Sequence, residues 1–190
     1  MRTGRRRTAR FREMTETTLR GRLLVAAPSL RDPNFVRSVI LIAEHGDRGA
    51  MGLVLNRPSE TSVGEAVPEL SSLSAGDEPV FVGGPVAMDS VLALAEVEDP
   101  DDASELVLGA VGFVQDPEVV PRRGRIFVGY AGWSAGQIEA ELEEETWFVV
   151  PAEPDDVFSD EPAALWSAVL RRQGGLFALL ATMPPDPSLN

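Results

Sequence analysis

The stretch from Val39 to Pro58, VILIAEHGDRGAMGLVLNRP, constrains the fold more than any other part of the chain. Val39 to His45 is apolar and rich in β-branched side chains, which suit a buried, pleated strand. GDRG is a turn signal, and AMGLVLNRP reads as a returning strand closed by Pro58. The pair predicts a hairpin with a loop of about five residues. Strands outnumber helices along the chain, and they cluster as hairpins before each helix. That order favours an α+β fold over a doubly wound βαβ array.

The flanking segments agree. Leu23 to Pro28 (LLVAAP) is a short apolar run ended by proline, and SLRDPNFVRS is a loop with Pro33 opening a turn. TSVGEAVPEL reads as a short helix, capped by Thr61 or Ser62, with Glu65 completing a capping box from Ser62. Val80 to Pro85 (VFVGGP) is a strand running into a Gly-Gly-Pro turn. SVLALAEV is a strand, with a helix as the alternative. ELVLGAVGFV is one strand broken by glycine, or a strand end plus a bend. RIFVGYAGW and TWFVVP are strands, with a helix from Ser134 to about Glu144 between them. DEPAALWSAVLRRQGG is a helix with Asp160 as cap, Pro162 near its first turn, Arg171 and Arg172 in its last, and Gly174 or Gly175 ending it.

Charge is distributed unevenly. The first 22 residues hold eight Arg against two Glu, a net +6; the rest holds nine Arg against 28 acids, a net −19. Residues 1–18 therefore read as a basic, solvated arm, and 19–190 as a single acidic domain. The acidic body argues against direct nucleic-acid binding except through the Arg-rich arm, because phosphate contacts need a concentrated basic surface. No apolar run reaches the roughly 18 residues of a membrane span, and residues 8–20 are too polar for a secretory signal. A cytoplasmic location is expected, with no membrane partner. The chain has no cysteine, so thiol nucleophiles, disulfides and Cys-ligated metals are excluded.

Candidate sites come from four places. In GYAGWSAGQIEAEL, Ser134 is placed to cap a helix and Gln137 to complete a Ser-x-x-Gln capping box. A helix start of this kind can receive an anion, walled by Trp133 and Tyr130; the alternative is a tight turn whose aromatics fill core. The spacing matches neither G-x-G-x-x-G nor a P-loop. His45, the single histidine, is the one general acid/base candidate, although histidine at a strand end beside a glycine turn often bonds only to backbone. Asn56 and Arg57 end a strand, where Arg57 could grip a carboxylate or pair with one of the many acids. Gly83 and Gly84 form a turn that could line the same hollow. Acid runs such as EVEDPDD read as solvated surface, and no metal site or cofactor is expected.

Taken together, GRLLVAAPSLRDPNFVRSVILIAEHGDRGAMGLVLNRP, VFVGGPV, YAGWSAGQIEAEL, Trp147 and the closing PSLN resemble, in order and spacing, the AlgH/YqgE family of bacterial proteins. The resemblance spans Gly21 to Asn190 and leaves the basic arm outside it. It implies a bifurcated, mostly antiparallel sheet curled toward a pseudo-barrel, with flanking helices. It also implies a largely uncharacterised cytoplasmic family, some members of which are described as transcriptional regulators, with no agreed catalytic residues. The expectation is a non-enzymatic regulatory or interaction protein, taking a small anionic ligand or a protein partner. Its site would gather Asn56, Arg57, Gly83, Gly84, Trp133, Ser134 and Gln137. The alternative is an enzyme acting on a small polar or anionic substrate, with His45 as acid/base.

Overall fold

The structure, a computed structural model, describes residues 18–184, so residues 1–17 of the basic arm lie outside it. Ten strands carry the fold: β1 (Arg22–Ala26), β2 (Val39–Gly46), β3 (Gly49–Val54), β4 (Pro58–Ser62), β5 (Pro79–Val82), β6 (Val86–Glu96), β7 (Glu105–Leu108), β8 (Val111–Phe113), β9 (Arg123–Ser134) and β10 (Trp147–Pro151). The main path runs β10-β1-β2-β3-β9-β6-β8-β7, and β4 pairs with β5. Every pairing is antiparallel except that of β5 with β9. The sheet curls into a half-barrel, as the resemblance implies. Strand β9 is its fork. The end of β9, Ala131 to Ser134, pairs with β3, while Phe127 and Val128 pair with both β5 and β6.

Strands β1 and β2 are apolar without alternation because both of their faces are covered. Leu23, Val25, Val39 and Leu41 enter the main core, with Trp166, Val169 and Leu170 of the helix α4 (Leu165–Gln173). Leu24, Ala26, Ile40 and Ile42 enter a second core on the other face. There they meet Trp133, Trp147 and Ile138, the last from the helix α2 (Gln137–Glu143). A third core joins Val63, Leu73, Val80 and Ile126 under the β6–β9 side. The remaining helices are short: α1 (Val63–Ala66), α3 (Pro154–Val157) and α5 (Gly175–Leu180).

Several expectations are corrected. The β2–β3 loop has two residues, Asp47 and Arg48, not five, because Gly46 and Gly49 already pair. Gly49 allows this, with φ +123. The chain does not leave the sheet at Pro58; it starts β4 there and pairs with Phe81. The Ser62 capping box does not form. The amides of Val63 and Gly64, the first two of the helix, donate instead to the carbonyls of Glu78 and Gly76. ELVLGAVGFV is two strands, β7 and β8, folded back at Gly109, which holds φ +57. Asp160 does not cap the helix it precedes: Pro162–Ala164 forms a 3-10 turn first, and Ser159 Oγ accepts from the Glu161 amide instead. Gly174 does end α4, at φ +72. Among the described residues no helix is long and apolar enough to cross a membrane, and no cluster of three His, Asp or Glu could hold a metal ion.

Candidate functional site

The eight candidate residues fall into two groups rather than one. Asn56, Arg57, Gly83 and Gly84 lie together where β3, β4 and β5 meet. His45, Trp133, Ser134 and Gln137 lie around the β2–β3 hairpin and α2.

In the second group the side chains are spent on structure. Trp133 is 6% exposed and packs in the second core, and its remaining edge lines, with Tyr130, a hollow of about 710 Å³ beside the β2–β3 hairpin. Its indole Nε1 donates to Glu141 Oε2 at 2.9 Å, and the Trp147 Nε1 donates to the same oxygen at 2.7 Å. Phe35 stacks on Trp133 with centroids 6.5 Å apart and meets Trp147 edge-on at 5.8 Å. Ser134 is not the helix N-cap; Gly136 is, at φ +77. The Gln137 side chain nevertheless reaches back, its Oε1 accepting from the Ser134 amide at 3.1 Å and from its hydroxyl at 3.2 Å. Its Nε2 donates to Glu141 Oε1 at 2.9 Å. Half of a capping box is therefore present, displaced by the left-handed glycine.

His45 bonds on both ring nitrogens. Nδ1 accepts from the Leu19 amide at 3.1 Å, which leaves Nε2 to donate to Glu139 Oε1 at 2.9 Å. Its side chain is 14% exposed, at the edge of a hollow formed with Arg20, Asp47 and Arg48. It shares no lining residue with the Arg57 cleft. The histidine ties the start of β1 to α2, and the acid/base reading is left without a shared cleft.

In the first group Asn56 is structural. It is 7% exposed, its Oδ1 accepts from the Val39 amide at 3.0 Å and its Nδ2 donates to the Arg37 carbonyl at 2.9 Å. Gly83 bonds through its amide to Val128 and through its carbonyl to Val54, both at 2.8 Å. Gly84 sits at φ +155, where a Cβ would lie 2.1 Å from the Tyr130 carbonyl carbon. Arg57 differs. Its guanidinium donates to the carbonyl of Asn56 at 3.3 Å and to that of Val36. It lines a cleft of about 450 Å³ with Pro33, Asn34, Val82, Pro85 and Met88. Among the described residues no carboxylate lies within 4.0 Å of it. Burial pushes its pKa down.

The other arginines show what is missing there. Arg172 holds Asp156 with two bonds of 2.8 Å, and hydrogen bonding to that carboxylate raises its pKa. Arg123 is raised likewise, first by its bond to Asp155. Buried Arg125 stacks 4.2 Å over Phe81 and reaches Glu78 only at 4.0 Å. Arg37 is lowered by burial, but it lies 4.3 Å over the Trp166 ring and donates to the carbonyls of Met183 and Pro184. Sequence reasoning did not find the Glu141 bridge, the Glu139 partner of His45 or the stacked arginines. The signal for the first was weak but present: Glu141 stands one helical turn after Gln137.

A forked, mostly antiparallel half-barrel with an arginine cleft beside the fork defines an α+β class in which helices pack outside a curled sheet. The chain belongs to the AlgH-like family, whose model matches residues 23–178. It is 48% identical over 192 residues to a UPF0301 protein of Streptomyces coelicolor, covering 93% of this chain and 98% of that protein. A UPF0301 protein of Thermobifida fusca is 45% identical over 194 residues at the same coverages. Among solved structures it is similar to the crystal structure of DIP2367 from Corynebacterium diphtheriae, with TM-score 0.79 and 32% identity over 86% of this chain and 92% of that one. The solution structure of the AlgH protein from Pseudomonas aeruginosa matches at TM-score 0.69 and 32% identity, covering 88% and 95%.

Proposed function

We propose that this is a non-enzymatic, cytoplasmic regulatory or interaction protein that binds a small anion in the Arg57 cleft. One observation carries the reading. In a chain with 30 acids against 17 arginines, Arg57 is half-buried in a cleft and has only neutral carbonyl partners among the described residues. A desolvated cation without a counter-charge is costly, and a ligand carboxylate would supply the missing partner. The rest of the lining sets the ligand's class. Pro33, Val54, Pro58, Val82, Pro85 and Met88 are apolar, and Asn34 is the other polar side chain. One cation and one amide fit a single negative charge on an apolar body better than a polyanion.

The test is a thermal-shift panel of small carboxylates and phosphate monoesters on the full chain, at low salt, with Arg57→Gln beside the wild type. Ligands that bind the folded state raise its melting temperature by linkage. Carboxylates with an apolar body should stabilise the wild type, and the shift should vanish in Arg57→Gln and shrink with salt. A shift that survives the substitution, or a panel with no shift at all, refutes the assignment.

A further inference from the structure

Helix α5 has the sequence Gly-Leu-Phe-Ala-Leu-Leu and not one polar side chain. A helix that is apolar all round is ordinarily covered all round. Here one face is covered: Phe177 packs edge-on against Phe148 with centroids 5.1 Å apart, and Leu180 is half-buried. The adjoining face is open. Leu176 is 70% exposed, Leu179, three residues on, is 67%, and Met183 just beyond is 43%. Beside this ridge lies a groove of about 790 Å³, with Pro28, Leu142, Trp147, Phe148 and Leu180 in its lining. Arg31 also lines it, as do Glu144 and Glu145, and none of the three makes an ion pair among the described residues.

We propose that this face binds a second copy of the chain in a two-fold dimer. An isologous contact needs a surface that complements itself, so that what one copy offers the other receives. This face meets that demand twice. It carries an apolar ridge, Leu176 and Leu179, next to an apolar groove. It also carries a cation and two carboxylates, unpaired among the described residues, around one hollow, so that across a two-fold axis Arg31 of each copy meets Glu144 and Glu145 of its partner. The pairing of opposite charges fixes the partner's orientation, and burial of the ridge supplies the affinity.

Sedimentation equilibrium of the full chain across a concentration series tests this. The mass should rise from 20.5 kDa toward twice that value with concentration. Leu176→Glu with Leu179→Glu should hold the chain at the monomer mass, with an unchanged circular dichroism spectrum because both side chains are exposed. Arg31→Glu alone, and Glu144→Arg with Glu145→Arg, should each weaken association several-fold, and all three together should restore it. A wild-type mass of 20.5 kDa at every concentration overturns the proposal, as does association indifferent to the leucine changes. A triple charge variant no better than its parents overturns the two-fold arrangement.

Discussion

Replacing Glu141 with alanine removes a single oxygen that receives two indole N–H groups. Trp133 and Trp147 are 6% and 4% exposed, so both indole N–H groups depend largely on that oxygen for a partner. Each bond is charge-assisted, a type contributing about 1.5–3 kcal/mol, and a donor left buried without a partner carries its full desolvation cost. Alanine is the better helix former, which offsets the loss of the exposed Gln137 Nε2 bond to Glu141 Oε1. The lower end of the range applies because Glu141 is itself only half-buried, which gives roughly 3–4 kcal/mol for the pair. For a domain of this size that lowers Tm by roughly 6–16 °C. Glu141→Gln keeps one acceptor oxygen for both indoles and should cost less than about 1.5 kcal/mol. Urea unfolding followed by far-UV circular dichroism measures both changes without relying on tryptophan emission. A Glu141→Ala protein within about 1 kcal/mol of wild type, or a glutamine variant as unstable as the alanine one, would refute the bridge as a source of stability.

The glycine pair Gly84 and Gly109 separates clash from conformation. Gly84→Ala should cost several kcal/mol, since its Cβ would lie 2.1 Å from the Tyr130 backbone, whereas Gly109→Ala meets nothing within 4 Å and should cost only about 1–2 kcal/mol for its positive φ; equal melting temperatures would contradict this. His45→Ala leaves the Leu19 amide without its acceptor and should speed hydrogen exchange at Leu19 by about tenfold, and unchanged protection there would count against the tether. Asp156 is 3% exposed, receives the Glu153 amide at 2.8 Å and holds Arg172 with two bonds. Asp156→Asn should therefore lower stability by about 2–3 kcal/mol in a denaturant titration, and Arg172→Met in the same background should recover part of the loss.

What could be read from the sequence was the part written in local patterns. Apolar runs such as VILIA and LLVA identify strands because their composition reports burial on both faces, and the turn glycines and α4 carry their own punctuation. Two of the misreadings concern helix caps. Ser62 and Asp160 are good caps by type, but whether a hydroxyl or carboxylate caps depends on whether the first amides are free. After Ser62 the first two amides are taken by residues 78 and 76, a contact made by the tertiary fold. The site was half legible for the same reason. Asn56, Arg57 and the Gly83–Gly84 turn do lie near one another, although of these only Arg57 and Gly84 line the cleft. Trp133 and Gln137 were joined to them because they too sit at a strand end, and sequence does not reveal which strand ends adjoin.

The fork in β9 explains both the grouping and the first glycine of GYAGWSAGQ. Gly129 holds φ +66, and a Cβ there would lie 2.5 Å from the Gly84 carbonyl oxygen and 2.8 Å from Met88 Sδ. Gly83 in turn is so close that its Cβ would meet the Gly129 oxygen at 2.4 Å. Two backbones therefore pass within contact where β9 changes partners, and only glycine on both sides permits it. That close passage brings Gly84, Pro85 and Met88 against the end of β3, where they and Arg57 line one cleft. The aromatic part of the motif serves a different purpose: Trp133 lies beyond the crossing and anchors α2 through Glu141. The glycine–aromatic turn is thus architecture that shapes the cleft without contributing a side chain to it. Binding measurements should accordingly respond to Arg57 through direct contact, and to Gly129 only through the fold. A Gly129→Ala protein that remained folded but lost an anion bound by the wild type would place the ligand nearer the crossing than the arginine.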